Sequence, residues 1–325
     1  MTPSASRLVA IALGLAVGGV FLALAFRGTP PAAVAHLLAA GHWGGGGILV
    51  LVATAGFVLA KAARWRLLLG IRAGEGLPPL WPPVLAGLAL NALVPHSGEF
   101  VRAIALQRRA GRPAVAVLSS IVAERVFDLF AVLILGALAF GSVVVGPEVA
   151  TALRLIAWVA LAGAIAIVLL LVAPGGITRL MTALAAPLPA RARAWLLGQL
   201  AAALTGFEPV RSPSTALAVL VWSLAQWLTI ALAVYGCGLV LGLSLGAAAA
   251  ALVVVGIVVA FLLPNAPGYA GSVQVAFLVT LKPLGVAADV ALAASVVYQL
   301  LMVLPLVVGG LIVLRGSLKA PISAP

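Results

Sequence analysis

Six mostly apolar stretches, each near the length needed to cross a bilayer, dictate what this chain can fold into. They run over 8–26, 48–69, 115–140, 153–172, 215–241 and 289–314. The first follows Arg7 and exceeds the roughly 7–15 apolar residues of a signal-peptide core, so it reads as a retained helix. The small residues Ala33-Val34-Ala35 only mimic a cleavage site. A soluble alternative fails on composition: 64% of the 325 residues are apolar and 8% charged, where a soluble domain carries roughly 25% charged residues. The chain is an all-α polytopic membrane protein.

Two further apolar regions are broken in the middle. The first, 77–112, contains Asn91-Ala-Leu-Val-Pro95-His-Ser-Gly98-Glu99, and the second, 245–283, contains Leu263-Pro264-Asn265-Ala-Pro267-Gly268-Tyr-Ala-Gly271-Ser272. Proline removes a backbone donor and glycine frees the dihedrals, so a helix stops at each. Irregular backbone at membrane depth persists only inside protein or beside a wet cavity. Each region is therefore expected to be a re-entrant hairpin of two half-helices.

Charge supports that topology. With the N-terminus inside and both hairpins returning to the side they entered, Arg27, Arg154 and Lys282 of the 19 Lys and Arg fall outside, and Arg125 lies within a helix. The other fifteen, Lys61, Arg64 and Arg66 among them, fall inside or near it. Making each hairpin a single crossing would move Arg108, Arg109 and Arg112 outside and weaken this bias. The hairpins then enter from opposite sides, which points to an inverted repeat with a binding site between its halves. The expected organisation is one transmembrane domain: a first half over about 1–173, a linker over 174–213 and a second half over 214–325. Both termini are expected in the cytoplasm, in the cell inner membrane.

The linker carries Arg179, Arg191, Arg193 and Trp195 beside Leu196, Leu197, Leu200 and Leu204, as a helix lying in the interface does. Trp43, Trp65, Trp81 and Trp195 are expected at membrane edges. Gly44–Gly47 reads as a flexible loop, since no Lys-Ser/Thr follows to make a phosphate cradle. Gly14 and Gly18 are placed to let helices approach closely. The charge of +12 reads as orientation in the bilayer, and no nucleic-acid partner is expected. Three widely spaced histidines make no metal site, one cysteine, Cys237, makes no disulfide, and no cofactor is expected.

Among seven acidic residues, Glu75, Glu148, Glu208 and Asp289 read as flank charges. Glu99, Glu124 and Asp128 do not. Glu99 and Arg102 are three apart on one half-helix, with Arg109 two turns below, and Glu124, Arg125 and Asp128 share the next crossing. Each ionised group at membrane depth costs roughly 2.5–3.5 kcal/mol, so these five are expected to converge in one polar cluster facing the cytoplasm. Such a cluster either locks the hairpin to the crossing helix or receives a charged head group. For the second role the arginines suit a phosphate, the carboxylates an amine, and the half-helix starting at Ser97-Gly98 an anion. Asn91, Asn265, Ser272, Gln274, Gln226, Tyr298 and Gln299 are candidates for neutral contacts or for bonds between helices.

Asn91, Pro95, Gly98-Glu99-Phe-Val-Arg102-Ala, Glu124-Arg125-Val-Phe-Asp128 and Pro264 through Pro267-Gly268-Tyr-Ala-Gly271 resemble the flippase-like transmembrane family, the membrane domain of lysylphosphatidylglycerol synthases. Arg64-Trp65 fits as well. The resemblance spans nearly the whole chain and implies movement of a lipid between leaflets: aminoacylated phosphatidylglycerol in the fused enzymes, with polyprenyl-phosphate sugars or hopanoids suggested for relatives. It carries over Glu99, Arg102, Glu124, Arg125 and Asp128 as functional positions. Two departures stand out: a glutamate often follows the second Pro-Gly motif where this chain has Gln274, and an arginine often follows the late tyrosine where it has Gln299 after Tyr298. An ion pair in relatives would here be neutral on both sides, which puts the same head group in doubt. The chain ends at Pro325 with no soluble aminoacyl-transferase domain, so it is not expected to make lysylphosphatidylglycerol.

The expected function is lipid translocation through a polar groove, with Arg102 and Arg125 holding phosphate and the three carboxylates a cationic part. Rival readings are a proton-coupled transporter of a small solute and a non-transporting partner of a lipid-synthesis enzyme. No nucleophile–base pair points to an enzyme. A homo-oligomer stays open.

Overall fold

The computed structural model describes residues 16–71, 79–94, 97–140, 174–262 and 266–319, with scattered helical positions between 151 and 169. Among these, every regular element is helical. Helix α1 (Ala16–Ala25) and a short α2 (Pro31–Ala39) lead into α3 (Trp43–Leu68). The first broken region is α4 (Trp81–Leu93) and α5 (Ser97–Ala110), followed by α6 (Ala114–Phe140). The linker forms two helices rather than one, α7 (Pro174–Leu184) and α8 (Ala190–Phe207), and leads to α9 (Pro213–Val240). The second broken region is α10 (Ala247–Leu262) and α11 (Ser272–Leu281). The last span joins α12 (Ala288–Tyr298) to α13 (Leu304–Lys319) through a π-helical turn, Gln299–Val303.

Trp43–Leu68, Pro213–Val240 and Ala288–Gly316 are long and apolar enough to cross a membrane. Helix α6 has 27 residues and equal reach, but Glu124, Arg125 and Asp128 interrupt its middle. Its interior is therefore committed to protein partners.

Helices α3 and α9 pack along much of their length. Glycines make that possible: a Cβ on Gly46 would lie 2.8 Å from the Gly236 carbonyl oxygen, and one on Gly236 3.0 Å from that of Gly46. The expected loop at Gly44–Gly47 is thus the first turns of α3, because packing against α9 outweighs the poor helix propensity of glycine. The last span accommodates Pro305 next to its π turn by the same logic of satisfied groups. Proline leaves the Leu301 carbonyl without its helical donor, and the Thr54 hydroxyl of α3 sits 3.3 Å from that oxygen, as well as 2.8 Å from the Val50 carbonyl.

Both broken regions fold back on themselves. In the first, Gly98 meets both Gly87 and Asn91, and Gly87 meets Arg102, so the two helices run antiparallel. Its break is satisfied from within. The Ser97 hydroxyl reaches the Leu90 carbonyl (3.0 Å) and the Val94 carbonyl (2.7 Å), while Asn91 Oδ1 accepts from the Gly98 amide (2.7 Å). Carbonyls leaving α4 and an amide entering α5 thereby avoid standing unbonded.

The second break turns through Pro267–Tyr269 with Gly268, Tyr269 and Gly271 at φ of 72°, 59° and 84°. Gln274 Oε1 accepts from the Gly271 amide (2.8 Å), Gln274 Nε2 donates to Gln299 Oε1 (2.6 Å), and Gln299 Nε2 donates to the Gly268 carbonyl (3.1 Å). Gln274 and Gln299 are therefore a touching neutral pair, tying the break to the π turn. Helix α1 closes over this tip, where a Cβ on Gly18 would overlap Ala266. The tips of the two hairpins meet, with α4 against the Pro267–Tyr269 turn.

Candidate functional site

The charged residues form two layers rather than one cluster. The deeper layer centres on α6. Glu124 is fully buried, accepts from Lys61 and from Arg102 through Nη1 (3.3 Å) and Nη2 (2.8 Å), and forms an ion pair with Arg64 Nη2 (2.9 Å). Asp128, one turn on, accepts from Arg64, from Trp227 Nε1 (2.8 Å) and from Gln226 Nε2 (3.4 Å). Arg64 also donates to Ser223 (2.9 Å). The Arg102 guanidinium lies 4.1 Å over the Trp65 ring, whose Nε1 is 3.3 Å from the Ser120 hydroxyl. This layer knits α3, α5, α6 and α9 together.

Three expectations change here. Lys61 and Arg64, read as orientation charges at a helix end, are buried inside α3 as the counter-ions of the two α6 carboxylates. Trp65 is fully buried under Arg102 rather than exposed as an aromatic-belt side chain would be. Glu99 and Arg102 do not work as a unit: Arg102 turns inward to Glu124, and Glu99 pairs with Arg125.

The second layer faces a cavity of about 540 Å³, within the roughly 300–1,000 Å³ range of small-molecule sites. Both hairpin tips contribute to its wall: Asn91, Glu99 and Phe100 from the first, Phe261 and Tyr269 from the second. Arg125, Asp128 and Trp227 come from α6 and α9. Phe261 and Tyr269 stack at 4.2 Å between ring centroids, bridging the second break. Asn91 Nδ2 lies 3.4 Å from Glu99 Oε1, which also accepts from Arg125. The Arg125 side chain is 52% exposed, against 13% for Glu99 and 6% for Asp128. Arg125 is thus the cation that the cavity presents. Phe100 and Val122, both exposed, flank the opening on α5 and α6.

Of the residues singled out from sequence, Asn91, Glu99, Arg125 and Asp128 meet at this cavity, and Arg102 and Glu124 lie beneath it. Ser272, Gln274 and Tyr298 are buried and do not line this cavity, with Tyr298 against Phe277 (5.7 Å between centroids). Asn265 lies outside the described residues. Sequence reading missed Ser223 and Trp227, although Ser223, Gln226 and Trp227 form a polar stripe at three- and four-residue spacing on an otherwise apolar helix.

A family model for the lysylphosphatidylglycerol synthase TM region matches residues 11–310. No curated protein and no solved structure matches the chain.

Proposed function

Because the chain belongs to the family of lysylphosphatidylglycerol synthase transmembrane regions, and so is a membrane protein of lipid-related function, we propose that it moves a phosphate-bearing lipid between leaflets. The observation that supports this reading is the cavity itself. One half-exposed arginine, Arg125, stands in a wall otherwise rich in apolar side chains, beside an opening flanked by exposed Phe100 and Val122. A phosphate belongs on the guanidinium, which offers several donors in a fixed plane. Acyl chains belong against the apolar flank, outside the cavity.

Arg102, engaged by Glu124 and Trp65, holds the walls in place instead of binding the head group. Glu99 and Asp128 remain the groups able to meet a cationic part of an aminoacylated lipid, and a polyprenyl phosphate fits the same Arg125. The protein works in the inner membrane with both termini in the cytoplasm. The hairpins, meeting tip to tip, open the cavity alternately to each side.

Leaflet exchange in proteoliposomes tests this, using head-group-labelled phosphatidylglycerol, its aminoacylated form and a polyprenyl phosphate. Wild type should move at least one of these, and Arg125→Gln should slow it about tenfold or more with the fold intact, the loss expected from a charge-assisted hydrogen bond. Exchange at wild-type rates in folded Arg125→Gln would refute the assignment of the phosphate to Arg125. No exchange of any lipid would favour a non-transporting partner of a lipid-synthesis enzyme.

A further inference from the structure

The proposed binding cation is already occupied. Arg125 reaches across from α6 to Glu99 on α5, and Glu99 Oε1 is steadied by Asn91, which also caps the start of α5. The carboxylate sits in the first turn of α5, where the helix end favours negative charge. It lies deeper than the guanidinium that it meets, at 13% exposure against 52%. A phosphate docking on Arg125 would therefore arrive beside a carboxylate, and two like charges at that range repel.

Resting on the translocase reading above, we infer that Glu99 is a built-in stand-in for the substrate's phosphate. It neutralises Arg125 while the cavity is empty and is displaced when a lipid phosphate binds. The arrangement answers a problem every carrier of charged cargo faces. After release the empty protein must return, and an arginine without a counter-ion beside an apolar, lipid-flanked cavity is costly to keep charged. Glu99 supplies the missing negative charge from within the chain. It is a positioning residue in the empty state and a competitor in the loading step.

That dual role separates this inference from direct contact with the cargo and from simple structural support. If Glu99 held the cargo or merely supported the wall, removing its charge would weaken binding. As a competitor, its neutralisation must strengthen binding and slow the cycle. The probe is short-chain phosphatidylglycerol, which carries a phosphate and no amine, titrated into the purified full chain with retention read by native mass spectrometry. Glu99→Gln should bind it about tenfold more tightly than wild type, Glu99→Asp should lie close to wild type, and Arg125→Gln should lose binding. In proteoliposomes Glu99→Gln should exchange the same lipid more slowly at saturation despite its lower half-saturation concentration.

Equal or weaker binding by folded Glu99→Gln overturns the inference, as does absence of binding in both wild type and Glu99→Gln. Failure of the translocase reading looks different. There the lipid binds, binds more tightly to Glu99→Gln and needs Arg125, but no variant exchanges it between leaflets.

Discussion

Glu124→Gln is expected to destabilise the protein by about 3–5 kcal/mol, the usual result of removing one partner from a buried ion pair. That is a large share of the roughly 5–15 kcal/mol by which folded proteins outlast their unfolded state. Glu124 is where three cations from two other helices converge, and glutamine keeps its shape while deleting its charge. Lys61, Arg64 and Arg102 would then face Asp128 as the one remaining acid of the deep layer. Thermal unfolding in nanodiscs should show the melting temperature falling steeply, or the protein should fail to accumulate.

The matched variant is Lys61→Met, which changes the deep layer from three cations over two acids to two over two. Its expected change is within about 1 kcal/mol, since replacing a surplus buried charge by an apolar side chain of similar length removes a desolvation cost along with an attraction. If Lys61→Met proves as damaging as Glu124→Gln, charge balance is not what holds the layer together.

The second large effect is geometric. Alanine at position 98 would put its Cβ into the Gly87 carbonyl group and 2.8 Å from the Asn91 Cγ. Both obstacles belong to the facing half-helix, and the Gly87 backbone cannot rotate aside. Gly98→Ala should cost about 3 kcal/mol, the upper end of overpacking, and should abolish exchange by shifting Glu99 and Phe100 in the cavity wall. Gly45 is the control, because a Cβ there meets nothing within 4 Å. Gly45→Ala should be neutral or stabilise by up to about 1 kcal/mol through helix propensity. Melting temperatures of the two variants, with exchange rates for Gly98→Ala, decide the point.

Both broken helices were readable in advance, because Pro95 with Gly98 and Pro264 with Gly271 stop a helix by local chemistry alone. The acids of α6 were readable too, since Glu124 and Asp128 have no place in a crossing helix without partners. What those partners were did not show. Lys61 and Arg64 have the same local signature whether they are solvated flank charges or buried counter-ions, and the deciding residues are 63 and 64 positions away. The burial of Trp65 was hidden for the same reason. Gly44–Gly47 misled because four glycines favour a loop until a second helix, built nearly two hundred residues later around Gly236, packs onto them. The pairing of Gln274 with Gln299 showed in the sequence only as two departures from a family pattern, and became a contact in space.

The deep ion-pair layer also sets a timetable for synthesis. Lys61 and Arg64 leave the ribosome with α3, while the first acid able to neutralise them follows 63 residues later. At roughly 5–20 residues per second that interval is on the order of several seconds. Throughout it, two cations without their counter-ions oppose full entry of the C-terminal end of α3 into the hydrocarbon. The C-terminal end of α3 is therefore expected to wait at the bilayer edge or in the insertion channel until α6 arrives. Nascent chains arrested ahead of Glu124 should leave position 61 reachable by a water-soluble reagent, and chains extended past α6 should shield it. Insertion of this protein is paced by a charge that has not yet been made.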